Sequence, residues 1–323
     1  MKIGVLGPGR IAEKVVEVFH SIPELECYAV ASRTSGKAED FARRHGFAKA
    51  FGSYEEMLSD PELELVYITT PHSHHSEQMM LCLQYGKHVI CEKAFTMNAP
   101  QAKQVQKLAA EKGLYVAEAI WTRYMPSRAM IDSLIESGAI GRVHTLTANL
   151  SYNVAYKPRI LDPALAGGAL LDVGVYGLNF ALMHFEDDID KIKSSVRLTD
   201  TGVDGSESIT LLYRDGRMAV LTHSIYCRSD RQGIIHGDEG YLVVDNINNP
   251  RSISVYDPND NRIGYYEVPP QISGYEYEFQ EAVRCIREGK IEADSMPMAE
   301  TVKVMEIMDS LRAQWGVIYP QER

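Results

Sequence analysis

The chain has 323 residues, 45% of them hydrophobic and 24% charged, with a formal net charge of -11 at pH 7. That length supports two domains with separate cores, and an acidic balance without any Lys/Arg run argues against a nucleic-acid-binding surface. The five cysteines are scattered and odd in number, so neither a disulfide framework nor a zinc site is expected. No apolar stretch approaches membrane-spanning length, and the N-terminus reads as a strand with no signal peptide, so a cytoplasmic protein without membrane association is expected.

Lys2 to Leu6 reads as a short buried strand, Gly7-Pro8-Gly9 as a tight turn, and Ile11 to Phe19 as a helix with Ile11, Val15, Val18 and Phe19 on one face. A strand, a glycine turn and a helix in that order suit a dinucleotide. Gly7 allows the sharp turn, Gly9 lets a pyrophosphate approach the backbone, and small Ala12 lets the helix lie close to the sheet. The free NH groups and positive dipole end of the helix then face the phosphates, which makes Gly7, Pro8, Gly9, Arg10 and Ile11 the candidate contacts.

Strands and helices alternate up to residue 119, with strands at Glu26 to Ser32, Lys49 to Phe51, Leu65 to Ile68, Lys87 to Cys91 and Tyr115 to Glu118. The expected helices are Gly36 to Arg44, Tyr54 to Leu58, Ser73 to Tyr85 and Ala99 to Glu111, so residues 1–119 form a doubly wound parallel sheet of the Rossmann kind. Its ligand crevice lies beyond the C-terminal strand ends. After the second strand, where an NAD site carries Asp or Glu, stand Ser32, Arg33 and, further on, Lys37. A guanidinium there suits a 2'-phosphate, so NADP is the expected cofactor and NAD the alternative.

After the strand at Leu65 to Ile68 comes Thr69-Thr70-Pro71-His72-Ser73-His74-His75. Three close imidazoles invite a metal, but no acidic partner stands at ligand spacing, and no metal is expected. Instead Thr70, Pro71, His72 and His75 are expected at the cofactor or substrate, with His74 capping the following helix. The next strand ends in Glu92-Lys93-Ala94, which puts Lys93 at the crevice lip, where an ammonium stabilises a developing alkoxide.

Residues 120–323 read as an α+β domain with a large, mostly antiparallel open sheet. Its strands are Val143 to Leu150, Ile189 to Leu198, Ser208 to Tyr213, Arg217 to Ser224, Gly233 to His236, Tyr241 to Val244, Ser252 to Tyr256 and Ile263 to Val268. Helices are expected at Ser127 to Glu136, Tyr275 to Arg287 and Met298 to Gln314. Too few helices remain to cover both faces of that sheet, so a homodimer through it is expected. One further helix, Gly167-Gly168-Ala169-Leu170-Leu171-Asp172-Val173-Gly174-Val175-Tyr176, places Asp172 and Tyr176 at i and i+4 on one face. A phenol is a poor acid at neutral pH, but a nearby ammonium such as Lys93 lowers its pKa.

The Gly7-Pro8-Gly9 turn, Glu92-Lys93 and the Asp172 to Tyr176 helix together resemble the Gfo/Idh/MocA oxidoreductases. Glu118-Ala119-Ile120-Trp121-Thr122-Arg123, the Gly167 to Tyr176 run and Trp315-Gly316-Val317-Ile318-Tyr319-Pro320 resemble, more narrowly, the branch of dimeric dihydrodiol and NADP-linked D-xylose dehydrogenases. The resemblance implies an NADP-dependent enzyme oxidising a ring hydroxyl of a sugar or trans-dihydrodiol, with Lys93 and Tyr176 as the acid/base pair. It further implies that Glu92 and Lys93 face the cofactor, Trp121, Arg123 and Arg159 face the substrate, and Asp172 orients substrate or tyrosine. Where the usual Glu-Lys-Pro carries proline this chain has Ala94. Because a cis bond before alanine costs about 2.5 to 4 kcal/mol, the expectation is a strained Lys93-Ala94 bond or a shifted Lys93. A non-catalytic NADP-sensing regulator of the same fold, or a dehydrogenase of another polyol or keto-sugar, is the alternative.

Overall fold

The computed structural model describes residues 1–186 and 188–323, apart from the Ser35 side chain. They divide into two compact units, Met1–Tyr124 with Ile272–Glu306, and Met125–Gln271 with Ile307–Arg323. A single boundary after residue 119 therefore misses the return of the chain to the first unit.

In the first unit, strands and helices alternate as β1 (Lys2–Leu6), α1 (Arg10–Phe19), β2 (Glu26–Ala31), α2 (Ser35–His45), β3 (Lys49–Phe51), α3 (Tyr54–Leu58), β4 (Leu65–Ile68), α4 (His72–Gln84), β5 (His88–Glu92), α5 (Ala99–Lys112) and β6 (Val116–Ala119). All strands pair in parallel in the order β3-β2-β1-β4-β5-β6, the doubly wound arrangement. Strands buried on both faces read as continuous apolar runs, and β4, Leu-Val-Tyr-Ile, is buried at every position. The register sets Leu6 beside Ala31 and Ile68, Ile68 beside Cys91, and Glu92 beside Ala119. Gly7, Ser32, Thr69, Lys93 and Ile120 consequently leave the sheet along one edge.

The second unit contains α6 (Pro126–Glu136), β7 (Val143–Ser151), α7 (Pro158–Leu161), a π-helical turn at Leu170–Gly174, α8 (Val175–Phe185), β8 (Ile189–Leu198), β9 (Asp204–Tyr213), β10 (Met218–Ser224), β11 (Gly233–Gly237), β12 (Tyr241–Val244), β13 (Ser252–Tyr256) and β14 (Arg262–Glu267). The eight strands run β14-β13-β12-β11-β7-β10-β9-β8, antiparallel except where β7 meets β10. Strand alternation sends Leu146, Leu150, Ile209, Leu211, Ala219 and Leu221 into the core, all of them buried. The α8 helix is apolar all round and buried along nearly its whole length. Two later helices, α9 (Glu276–Arg287) and α10 (Met298–Trp315), close the chain. Phe279 of α9 packs edge-on against Phe19 at 4.7 Å and Tyr67 at 5.1 Å, which binds this segment to the first unit.

Three expectations need correction. The helical run Pro163–Phe185 is long and apolar enough to cross a membrane, but 94% of its most apolar stretch is buried inside the protein, so it is a core helix. Its first part is no α-helix, because Leu170–Gly174 forms a π-helical turn. β9 begins at Asp204 instead of Ser208, for the polar run Asp-Gly-Ser-Glu hides a strand whose inward positions carry acids.

Candidate active site

The glycine turn after β1 has the geometry its residues imply. Gly7 sits at φ +85, where a Cβ would come 2.5 Å from Thr70 Cγ2, so only glycine fits. Gly9 caps α1 in an extended conformation with no side-chain hydrogen bond, which leaves the helix's first NH groups open to an anion. At the end of β2, Ser32 is buried and its Oγ accepts the Thr34 N–H at 3.3 Å, while Arg33 and Lys37 are exposed. The residues present fit a phosphate-bearing dinucleotide.

The turn after β4 departs from expectation. The α4 helix starts at His72 with Pro71 as its N-cap, so His74 lies within the first turn and caps nothing. His75 is fully buried, with Nε2 2.8 Å from Thr70 O and Nδ1 2.9 Å from Ala94 O. Burial pushes its pKa down to about 4, so the ring is neutral and its single N–H can donate to only one of the two carbonyls it lies between. Thr70 Oγ1 donates to Gln78 Oε1, and His72 is buried edge-on against His75.

At the end of β5 the Lys93-Ala94 bond is cis. Glu92 turns inward and accepts the Tyr67 hydroxyl, while Lys93 is partly exposed. Trp121 stacks on Tyr275 at 4.1 Å and 16°, and its Nε1–H has no partner among the described residues. Arg123 is 2% exposed and pairs with Glu300 at 3.3 Å, so its guanidinium braces the first unit and is not presented to a substrate.

In the second unit Arg159 of α7 reaches Asp172 Oδ1 at 3.0 Å, uniting two of the expected site residues. Tyr176 follows as the second residue of α8 and is largely buried. Beneath this segment lies a cluster that sequence reading missed. Asp204 Oδ2 accepts the Leu170 N–H, Glu207 Oε1 lies 3.0 Å from His223 Nδ1, and both acids are buried. Burial raises both carboxyls to about 8 and lowers His223 to about 3, so protonated acids sit beside a neutral ring. A Cβ on Gly168, Gly174 or Gly177 would strike Asp204, Glu207 or His223 at 2.4, 2.3 and 2.1 Å. The glycines thus let the segment settle onto the cluster. Two acids flanking Gly205-Ser206 at the start of a strand were the available signal.

Residues 1–119 match the model described as oxidoreductase family, NAD-binding Rossmann fold, and residues 129–243 match the GFO/IDH/MocA C-terminal domain. The trans-1,2-dihydrobenzene-1,2-diol dehydrogenase of Mus musculus is 32% identical over 336 residues, covering 100% of this chain and 99% of that protein. The chain belongs to the Gfo/Idh/MocA family. Its human relative of the same description is 31% identical, again with 100% of this chain and 99% of that protein covered. Among solved structures, KijD10, a 3-ketoreductase from Actinomadura kijaniata in complex with NADP and TDP-benzene, superimposes with a TM-score of 0.90 at 22% identity, covering 97% of each chain. The aldose-aldose oxidoreductase of Caulobacter crescentus gives 0.89 at 19% identity, covering 98% of this chain and 97% of that one. These two show the shared fold. The protein is therefore a Gfo/Idh/MocA oxidoreductase whose first domain binds a nicotinamide dinucleotide.

Proposed function

We propose that this oxidoreductase prefers NADP and acts on a ring hydroxyl of a sugar or trans-dihydrodiol, as a cytoplasmic homodimer, with Lys93 and Tyr176 as its proton-transfer pair. The observation that carries this reading is identity of 31 to 34% over the full length to proteins described as trans-1,2-dihydrobenzene-1,2-diol dehydrogenases, in a chain that has a lysine at the β5 exit and a tyrosine at the start of α8. When bound, the nicotinamide accepts or supplies the hydride. The chain's own groups do the rest. Gly7, Gly9 and the N-terminus of α1 hold the pyrophosphate, and Arg33 with Lys37 meets the 2'-phosphate. Tyr176 takes the proton of the substrate hydroxyl, with the Lys93 ammonium as its partner in the proton-transfer pair. Asp172, held by Arg159, orients the ring.

The test is nicotinamide absorbance with purified protein, NADP or NAD in turn, and D-xylose, D-glucose, myo-inositol or benzene trans-dihydrodiol. NADP-linked turnover of a pyranose or the dihydrodiol is expected. Tight NADP binding without turnover on any of them overturns this reading.

A further inference from the structure

The turn that carries Lys93 has little solvent to satisfy its backbone, since Ala94 and Phe95 are fully buried. Buried peptide groups need partners, and two side chains from other elements supply them. The Phe95 N–H donates to Glu118 Oε1 of β6 at 3.1 Å, and Ala94 O lies 2.9 Å from His75 Nδ1 of α4. The other ring nitrogen of His75 lies 2.8 Å from Thr70 O, at the turn that follows β4. Glu118 is 1% exposed and His75 is fully buried, so both act through the backbone.

We infer that His75, as the neutral tautomer with its proton on Nδ1, and Glu118 are positioning residues that clamp the Lys93 turn from two sides. The inference rests on the reading of Lys93 as a proton-transfer group. Glu118 stands in Val-Ala-Glu-Ala, a strand whose every residue is buried. Burying a carboxyl there is costly, and an apolar side chain would serve packing better. Burial lifts the Glu118 pKa to about 7, while the Phe95 N–H, Arg123, Thr301 and Lys93 pull it back, which places its charge within reach of the lysine it helps to hold. The backbone bond needs only an oxygen acceptor, so glutamine should replace Glu118 and leucine should not.

The test combines hydrogen exchange, read by mass spectrometry on peptides spanning residues 91–97, with NADP-linked turnover of whichever of D-xylose or benzene trans-dihydrodiol reacts. The variants are Glu118→Leu, Glu118→Gln, His75→Leu and Lys93→Met. Slow exchange is expected in the wild type and Glu118→Gln, and exchange about tenfold faster or more in the two leucine variants. A misplaced group about 1 Å from its working position costs roughly 10²-fold. Accordingly, kcat should fall by about that factor in Glu118→Leu, with the KM for NADP changed by less than about threefold, and by less than about tenfold in Glu118→Gln. Leucine variants that exchange and turn over like the wild type overturn the clamp, as does a Glu118→Gln damaged as much as Glu118→Leu. If a leucine variant does not fold, fast exchange of this peptide in the wild-type protein is enough to reject it. Full turnover in Lys93→Met instead removes the acid/base reading, and the exchange data then judge the clamp alone.

Discussion

At the end of β2 the chain reads Ala31-Ser32-Arg33, and the first acid beyond it is Glu39 in α2. With no carboxylate to bind the ribose hydroxyls and an exposed guanidinium in its place, cofactor choice becomes a question about one side chain. Arg33→Ala should weaken NADP binding about tenfold to a hundredfold while leaving NAD nearly unchanged, as measured by fluorescence titration. An unaltered ratio of the two affinities would remove Arg33 from the site. Proton transfer is argued at the same scale. Lys93→Met and Tyr176→Phe should each lower kcat by about 10² to 10⁴, with little loss of cofactor affinity. Equal loss of cofactor binding in both would contradict those roles. Gly7 was legible as a residue because only glycine tolerates its backbone, but His75 and Arg123 were not. An imidazole or guanidinium reads the same in a sequence whether it faces a ligand or a buried carbonyl.

Among the elements, the Pro163–Phe185 run shows how local spacing meets a tertiary constraint. Its glycines look like helix weakeners, yet Gly168, Gly174 and Gly177 each meet a buried carboxyl or imidazole, and Asp204 takes the Leu170 N–H where the π-helical turn begins. The C-terminal segment adds a further tie, for the Tyr319 hydroxyl donates to Gly167 O at 2.9 Å. Gly177→Ala tests the packing. Alanine gains helix propensity of about 1 kcal/mol, but its Cβ would lie 2.1 Å from His223 Nε2, and that ring is pinned through Nδ1 to Glu207. Overpacking of about 1 to 3 kcal/mol should prevail and lower the melting temperature. An unchanged or higher melting temperature would show that His223 yields easily. Strand and helix boundaries read from hydrophobic period mostly fell within one residue of the structure, but the period of β9 was masked at Asp204 and Glu207, where acids occupy core positions.

For the whole molecule, the outer face of the large sheet bears on assembly. One transverse row runs Lys193, Thr210, Val220, Thr147, Ile234, Val243, Ser254 and Tyr265 across all eight strands. None of these residues is buried, and Lys193 at the edge is the only charge among them. A row so nearly free of charge suits burial in a second copy. Light scattering at micromolar concentration should give a dimer mass, and a monomer would refute that assembly. The buried acids set a pH dependence as well. Asp204, Glu207 and Glu118 hold protons in the folded chain above their unfolded pKa, so folding stability falls as pH rises toward about 8. His75 and His223, with depressed pKa values, act oppositely, but only up to the unfolded histidine value near 6.5. From pH 6.5 to 8 folding stability, followed by the melting temperature, should therefore fall by on the order of 2 kcal/mol for each of Asp204 and Glu207 that keeps its proton up to pH 8. A flat or rising profile would mean that the pair is already ionised.

The sequence by itself determined the parallel Rossmann sheet, the glycine turn, the large open sheet and the family, because these follow from short-range steric and hydrophobic patterns. Only the tertiary structure decided which polar residues turn inward. It placed His75, Glu118 and Arg123 against backbone or partner side chains, returned α9 to the first unit, and set acids beneath the glycine-rich helix. Burial and pairing depend on neighbours far away in the chain, and no local pattern encodes them.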